Sequence, residues 1–191
     1  MKESLAAALP ALAWLCAASG AYAQAEREAG PHEHGVAQLN VAVDAGEVLL
    51  ELHSPGMNLV GFEHAPSNAA EEQALADALR ALESGEQVFG FPEAASCTLQ
   101  SAAAESAAEA HEHEPEPQAE ADHEDSGEGP EVHSEVHVQW TYSCANPDRL
   151  TGVDVLIFER FPGTEEIDVQ VASDRGQSRI ELTRSAYRID F

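Results

Sequence analysis

The stretch VAQLNVAVDAGEVLLELHSPG at residues 36–56 contains two runs in which apolar side chains recur at every second position, separated by a turn at residues 44–47. This alternation is typical of β-strands that bury one face. With a two-residue turn at Ala45 and Gly46, the apolar side chains face one another across the strands. The predicted pairs are Val43 with Val48, Val41 with Leu50 and Leu39 with Leu52. The polar face would carry Gln38, Asn40, Glu51 and His53. The sequence therefore predicts a β-hairpin.

An amphipathic helix is predicted next, over SNAAEEQALADALRALESG at residues 67–85. Asn68 is suited to the N-cap, Glu71 follows three residues later, and Gly85 is suited to end the helix. Its apolar stripe consists of Leu75, Leu79 and Leu82.

Two strands are predicted on either side of a polar interruption, SCTLQSA at 96–102 and EVHSEVHVQWTYSC at 131–144. One face of the second strand carries Val132, Val136, Val138, Trp140 and Tyr142. The other face carries His133, Glu135 and His137.

The C-terminal part contains one ambiguous segment and three clearer ones. LTGVDVLIFERF at 150–161 fits either a helical stripe or a strand, and we favour a helix. EIDVQVAS at 166–173, QSRIELT at 177–183 and AYRIDF at 186–191 predict three short strands in a meander. The fold class expected for residues 24–191 is a single α+β domain, with a largely antiparallel sheet and two helices.

Residues 1–23 have the pattern of a cleaved signal peptide. Lys2 precedes the apolar run LAAALPALAWLCAASG, which is too short to span a bilayer, and AYA at 21–23 is suited to cleavage. Leu15 stands before Cys16 where a lipoprotein signal needs a small residue, so we expect no lipid anchor. We therefore expect export, a mature chain that starts near Gln24, and no membrane insertion.

The chain is strongly acidic, with 35 acidic residues against nine basic ones and a formal net charge of -26. Nucleic acids and anionic membrane surfaces need a basic patch, so this charge argues against both as partners. Adaptation to salt is an alternative explanation of the acidity, but it does not explain why histidines are concentrated in the most acidic segment.

That segment reads AHEHEPEPQAEADHEDSGEGPEVHSEVH at residues 110–137, with five histidines and no lysine or arginine. A segment this polar cannot bury enough apolar surface to offset the entropy lost when it becomes ordered. We therefore expect a disordered insertion at about 104–130. Histidine-rich tracts indicate metal binding. The candidate ligands here are His111, His113 and His123, with His133 and His137 at the downstream root. A purely solubilising role for the tract is the alternative.

Histidines outside the tract suggest a second kind of metal site. HEHG at 32–35 places His32 and His34 upstream of the first strand, Glu51 and His53 lie on the polar face of the hairpin, and GFEH brings Glu63 and His64. The set expected for a tetrahedral site is His34, His53 and His64, with a glutamate or water as the fourth ligand. A single exposed histidine is usually only a solvated polar residue. Imidazole sites also accept copper and nickel.

An enzyme is not expected. A zinc hydrolase would need an open metal position and a general base, a role that Glu51 or Glu63 could take. The sequence contains no HExxH helix, no GxSxG elbow and no phosphate-binding glycine loop.

Cys97 and Cys144 would remain after processing, an even pair in an oxidising compartment, and they predict a disulfide at the roots of the insertion. Such a bond would stabilise the fold by about 4 kcal/mol. Two thiolate metal ligands are the alternative.

Several segments together resemble the ZrgA-like family of zinc-regulated periplasmic proteins of Gram-negative bacteria. They are HEHGVAQLNVAV, ELHSPGMNLVGFEHAP, the acidic interruption, FERFPG and IDVQV. The resemblance implies a periplasmic zinc-binding protein that supports zinc uptake beside a dedicated importer, and it implies ligand roles for the N-terminal histidines, His64 and the histidines of the tract. Zn²⁺ is the expected metal on this ground. An exported structural or interaction module is the alternative function.

Overall fold

The computed structural model describes residues 33–85, 87–110 and 132–191, with the backbone alone for residues 108–110 and 132. These residues belong to one compact unit. Its helices and strands, in chain order, are β1 Val36–Asp44, β2 Glu47–Pro55, α1 Gly56–Val60, α2 Ala69–Glu83, β3 Phe89–Gly90, β4 Cys97–Ala110, β5 Val132–Cys144, β6 Gly152–Val155, α3 Ile157–Arg160, β7 Glu166–Ser173, β8 Gly176–Thr183 and β9 Arg188–Asp190.

Two sheets organise the described part of the chain. The larger has six strands in the order β4-β5-β2-β1-β7-β8, and the smaller has three in the order β3-β6-β9. Every pairing is antiparallel except that of β1 with β7, which is parallel. The predicted α+β class therefore agrees in outline, but the described residues form two sheets where one was predicted, and three α-helices where two were predicted.

The first hairpin has the predicted register. Val43 pairs with Val48, Val41 with Leu50 and Leu39 with Leu52. Ala45 and Gly46 have φ values of 46° and 91°, the left-handed conformations that a tight two-residue hairpin turn requires. A Cβ atom at Gly46 would lie 2.6 Å from Cγ of Pro147, so the turn also needs glycine for space.

The core lies against one face of the larger sheet. Leu39, Leu50 and Trp140 are fully buried there. The Trp140 indole donates a hydrogen bond to the carbonyl of Leu82 in α2 (2.7 Å), and Phe89 of β3 packs edge-on against the same ring at 4.9 Å. Helix α2 and the smaller sheet thus contact this face through Trp140, and the histidine and glutamate side chains of the sheet lie on the opposite face.

Helix α2 begins and ends as predicted. The side chain of Asn68 accepts hydrogen bonds from the amides of Ala70 and Glu71. Gly85 follows the helix with φ 62°. Leu82 is fully buried, whereas Leu75 and Leu79 are partly buried against the core.

The helix predicted over residues 150–161 is wrong for most of its length. Residues Gly152–Val155 form β6, and only the single turn Ile157–Arg160 is helical. Strand β6 pairs with β3 on one side and β9 on the other. These long-range hydrogen bonds decide between two periodicities that the local sequence satisfies equally well.

The predicted C-terminal meander is only partly correct. Strands β7 and β8 form a hairpin in which Ser173 pairs with Gly176. The last strand, β9, leaves the larger sheet and pairs with β6. The short helix α1, directly after β2, was not predicted.

The predicted strand at 96–102 is too short. Strand β4 continues to Ala110 and stays paired with β5 throughout, with one register shift between Leu99 and Ser101. Residues 104–110 of the predicted insertion therefore lie in a strand. The rest of the insertion and the predicted signal peptide lie outside the described residues.

The predicted disulfide between Cys97 and Cys144 is confirmed. Its position differs from the prediction, because Cys97 begins β4 and Cys144 ends β5. The bond closes the end of the β4–β5 hairpin farthest from the Ala110–Val132 pair, where the interruption begins. It does not clamp the roots of the histidine-rich tract.

Candidate metal centre

Strand β5 carries a row of potential metal ligands on the face of the larger sheet opposite the core, which we call the open face. Val136, Val138 and Trp140 alternate into the core. The intervening positions His133, Glu135 and His137 therefore share the opposite face. In strand β2, His53 lies directly opposite His137. The pairing of β2 with β5 thus adds a histidine from a second segment of the chain to the row.

His53, Glu135 and His137 form a compact cluster, in which one ligand atom from each lies within 4.8 Å of the others. Nε2 of His137 is 2.6 Å from Oε2 of Glu135, and Nδ1 of His53 is 3.9 Å from Oε1. The two imidazole rings are 4.4 Å apart between centroids. Two imidazoles and a carboxylate are a ligand set that zinc accepts, with a fourth position open to water or another ligand.

Glu51 supports this cluster from the neighbouring position on β2. One of its oxygens lies 3.6 Å from Nε2 of His53. The amides of Asn40 and Gln139 donate to the carboxylate of Glu51, at 3.3 and 3.2 Å. A carboxylate held in this way orients a ligating histidine through its second ring nitrogen, which raises metal affinity. In this structure the Glu51–His53 contact is longer than a hydrogen bond, and Glu51 is not among the three residues whose ligand atoms converge.

A second group lies at the other end of the row. Glu63 has one carboxylate oxygen 2.9 Å from Nε2 of His34 and the other 2.9 Å from Nδ1 of His133. Burial would by itself raise the pKa of Glu63, but its interactions with His133 and His34 outweigh this effect and hold the pKa below its usual value. Glu63 is thus favoured as a carboxylate.

His64 lies apart from both groups. Its Nδ1 contacts the carbonyl oxygen of Ala65 at 2.9 Å and lies 3.8 Å from a carboxylate oxygen of Glu71. Its ring stacks on Phe62 with a centroid distance of 5.1 Å. The structure therefore places His34, His53 and His64, the expected tetrahedral set, in three different surroundings.

The remaining candidates, His32, His111, His113 and His123, lie outside the described residues. Sequence reasoning placed His133, Glu135 and His137 on one strand face and His53 on another polar face, but it did not select Glu135 as a ligand. The alternation in EVHSEVH was the available signal. What it lacked was the register between β2 and β5.

The fold and the cluster describe a sheet-rich protein with a candidate zinc-type centre on its open face. A model of the family described as "ZrgA family zinc uptake protein" matches residues 31–191, so the chain belongs to that family. The resemblance noted from the sequence is confirmed, and the family is one of zinc uptake. No curated protein matches the chain. In the part of the chain that the structure describes, no helix is long and apolar enough to cross a membrane.

Proposed function

We propose that this protein captures zinc in the periplasm and holds one ion between His53, Glu135 and His137, in support of uptake by an importer. The observation that carries the proposal is the approach of these three ligand atoms to within 4.8 Å of one another. Membership in a zinc uptake family supports the choice of metal.

Partial burial suits this cluster to reversible binding. The side chains of His53 and Glu135 are 12% and 11% exposed, whereas that of His137 is 30% exposed. Two ligands are thus held by their surroundings, and the third lies nearer to solvent. An open fourth position would let a ligand from an acceptor protein attack the ion, as a carrier that must release its cargo requires.

Electrostatics favour cation capture as well. The chain has a formal net charge of -26, and such a field raises the local concentration of divalent cations and speeds their encounter with the protein. Ligand chemistry alone would also accept copper, which binds most nitrogen and oxygen sites more tightly than zinc. Calcium prefers sites built from oxygen alone. The proposal of zinc therefore draws on the family and the ligand set together.

The proposal is tested by zinc competition titration of the wild-type protein and of His137→Ala. We expect the affinity of the tightest site to fall by more than about tenfold, since loss of even an outer-shell partner typically costs that much. His64→Ala is the matched control, because it removes a histidine that lies apart from the cluster. An unchanged tight site in His137→Ala would contradict the proposal.

Export and the role of the tract remain part of the same proposal. We expect the mature protein to begin at or near Gln24, which N-terminal sequencing of the periplasmic fraction would check. We also propose that His111, His113 and His123 bind additional, weaker ions, because ordering a polar segment around an ion costs conformational entropy. A chain isolated from the periplasm with residues 1–23 intact would contradict the export proposal.

A further inference from the structure

The group around Glu63 is independent of the cluster just proposed to bind zinc. His34, Glu63 and His133 come from three separate segments, namely the turn before β1, the loop after α1 and the start of β5. They share no ligand with the group of His53, Glu135 and His137.

Buried backbone and side-chain contacts hold the three segments together. Asn58, which is 2% exposed, accepts a hydrogen bond from the amide of Gly35 (2.7 Å) and donates one to the carbonyl of Val36 (2.9 Å). The carbonyl of Glu63 accepts a hydrogen bond from the amide of Ser134 at 2.6 Å. These contacts fix the residues directly adjacent to His34 and His133, so the group is a consequence of the fold.

The carboxylate of Glu63 is partly satisfied within this group. Oε2 makes a hydrogen bond with Nδ1 of His133 at 2.9 Å. Oε1 is buried and lies 2.9 Å from Nε2 of His34, but this contact lacks hydrogen-bond geometry, and Oε1 makes no other hydrogen bond. Ligands of one tetrahedral zinc ion lie roughly 3.3 to 3.6 Å apart, from bond lengths of about 2.0 to 2.2 Å. His34 and His133 approach different oxygens of this carboxylate, so the three side chains would have to turn toward a common point to hold one ion.

We propose that His34, Glu63 and His133 form a second divalent-metal site, selective for the same class of ion as the first. His34 is 61% exposed and gives the ion access from solvent, whereas Glu63 is 11% exposed and anchors it. His133 lies two residues from Glu135 and four from His137 on one face of β5. The two ions would therefore lie roughly 7 to 13 Å apart along the strand. The protein would carry a pair of neighbouring sites on its open face.

The test is a zinc titration followed by NMR. It uses the mature protein isolated after cellular processing, with ¹⁵N-labelled histidine. We expect the NMR resonances of the ring nitrogens of His34 and His133 to shift together. This step should be distinct from the shifts of the His53 and His137 resonances. In His133→Ala, the His34 shift should vanish and the number of tightly bound ions measured by equilibrium dialysis should fall by one. The shifts of His53 and His137 should remain.

Glu63→Gln and His34→Ala are the companion variants, and His64→Ala is the matched control for loss of a nearby histidine. His34→Ala removes a mostly exposed side chain, so it tests the site even if Glu63→Gln fails to fold. The second site is contradicted if zinc never shifts His34 and His133 in the wild type, or if these variants leave the number of ions unchanged. If zinc shifts the resonances of His34 and His133 but not those of His53 and His137, the first site is contradicted and the second is supported.

Discussion

Asn58 shows how one buried polar side chain positions a ligand that it does not touch. Its amide bridges Gly35 and Val36 and lies 3.4 Å from the hydroxyl of Ser54. Replacing it with alanine would leave the buried amide of Gly35 without its partner and the part-buried carbonyl of Val36 without this donor, at a cost of roughly 1–3 kcal/mol for a buried group. The segment that carries His34 depends on these bonds.

We predict that Asn58→Ala lowers the free energy of unfolding by about 2–4 kcal/mol in urea denaturation. Asn146→Ala is the matched control, because Asn146 is exposed although its side chain also bonds to the backbone, at Ala94. It should cost about 1 kcal/mol or less. Equal losses in the two variants would contradict the role given to Asn58.

The candidate ligands show how much of the metal site could be predicted from the sequence. Strand alternation correctly placed His53 on a polar face and His133, Glu135 and His137 together on another. It did not reveal that His53 pairs with His137, because the register of β2 against β5 joins residues far apart in the chain. Nor did it reveal that Glu63 lies between His34 and His133. Local patterns determine the face on which a side chain lies, and tertiary pairing determines its neighbours.

Among the elements, those stabilised locally were predicted best. The first hairpin and helix α2 have their turn and capping residues within the segment itself, and both match in register and ends. Strand β6 was taken for a helix because its partners β3 and β9 lie elsewhere in the chain. Strand β4 was predicted too short because its run of alanines and glutamates carries little strand propensity of its own. Its pairing with β5 supplies the stability.

The β4–β5 hairpin gives a prediction about the disulfide. The Cys97–Cys144 bond spans a sequence separation of 47 residues, and closing such a loop stabilises the fold by about 4 kcal/mol in the chain-entropy model. Reduction should therefore lower the midpoint of urea unfolding. Reduction should not change the zinc affinity of the folded protein, because the disulfide lies roughly 23 Å along β5 from His137.

The control for this experiment is the Cys97→Ser, Cys144→Ser double variant, whose unfolding should not respond to reductant. Loss of tight zinc binding on reduction, under conditions where the protein stays folded, would count against placing the site away from the cysteines.

The histidine-rich tract lies in the chain between strands β4 and β5 of the folded part. Ala110 pairs with Val132 at the end of the hairpin. Residues 111–131 can therefore be replaced by Asn-Gly, a pair suited to a tight two-residue turn. We predict that this variant keeps the tight zinc binding of the folded part and loses the weaker ions in calorimetric titration.

A second variant separates histidine chemistry from charge. In the triple variant His111→Ala, His113→Ala, His123→Ala, the acids of the tract remain, so a loss of weak sites equal to that of the replacement variant would assign them to the imidazoles. Disappearance of the tight site in the replacement variant would mean that the tract supplies its ligands.

The assignment of zinc to His53, Glu135 and His137 is tested most directly by X-ray diffraction from crystals of the zinc-loaded protein, with data collected on both sides of the zinc absorption edge. We predict an anomalous peak about 2.0 to 2.2 Å from one ring nitrogen of each histidine and from a carboxylate oxygen of Glu135. A zinc-loaded crystal with anomalous peaks elsewhere on the protein and none at this cluster would contradict the assignment.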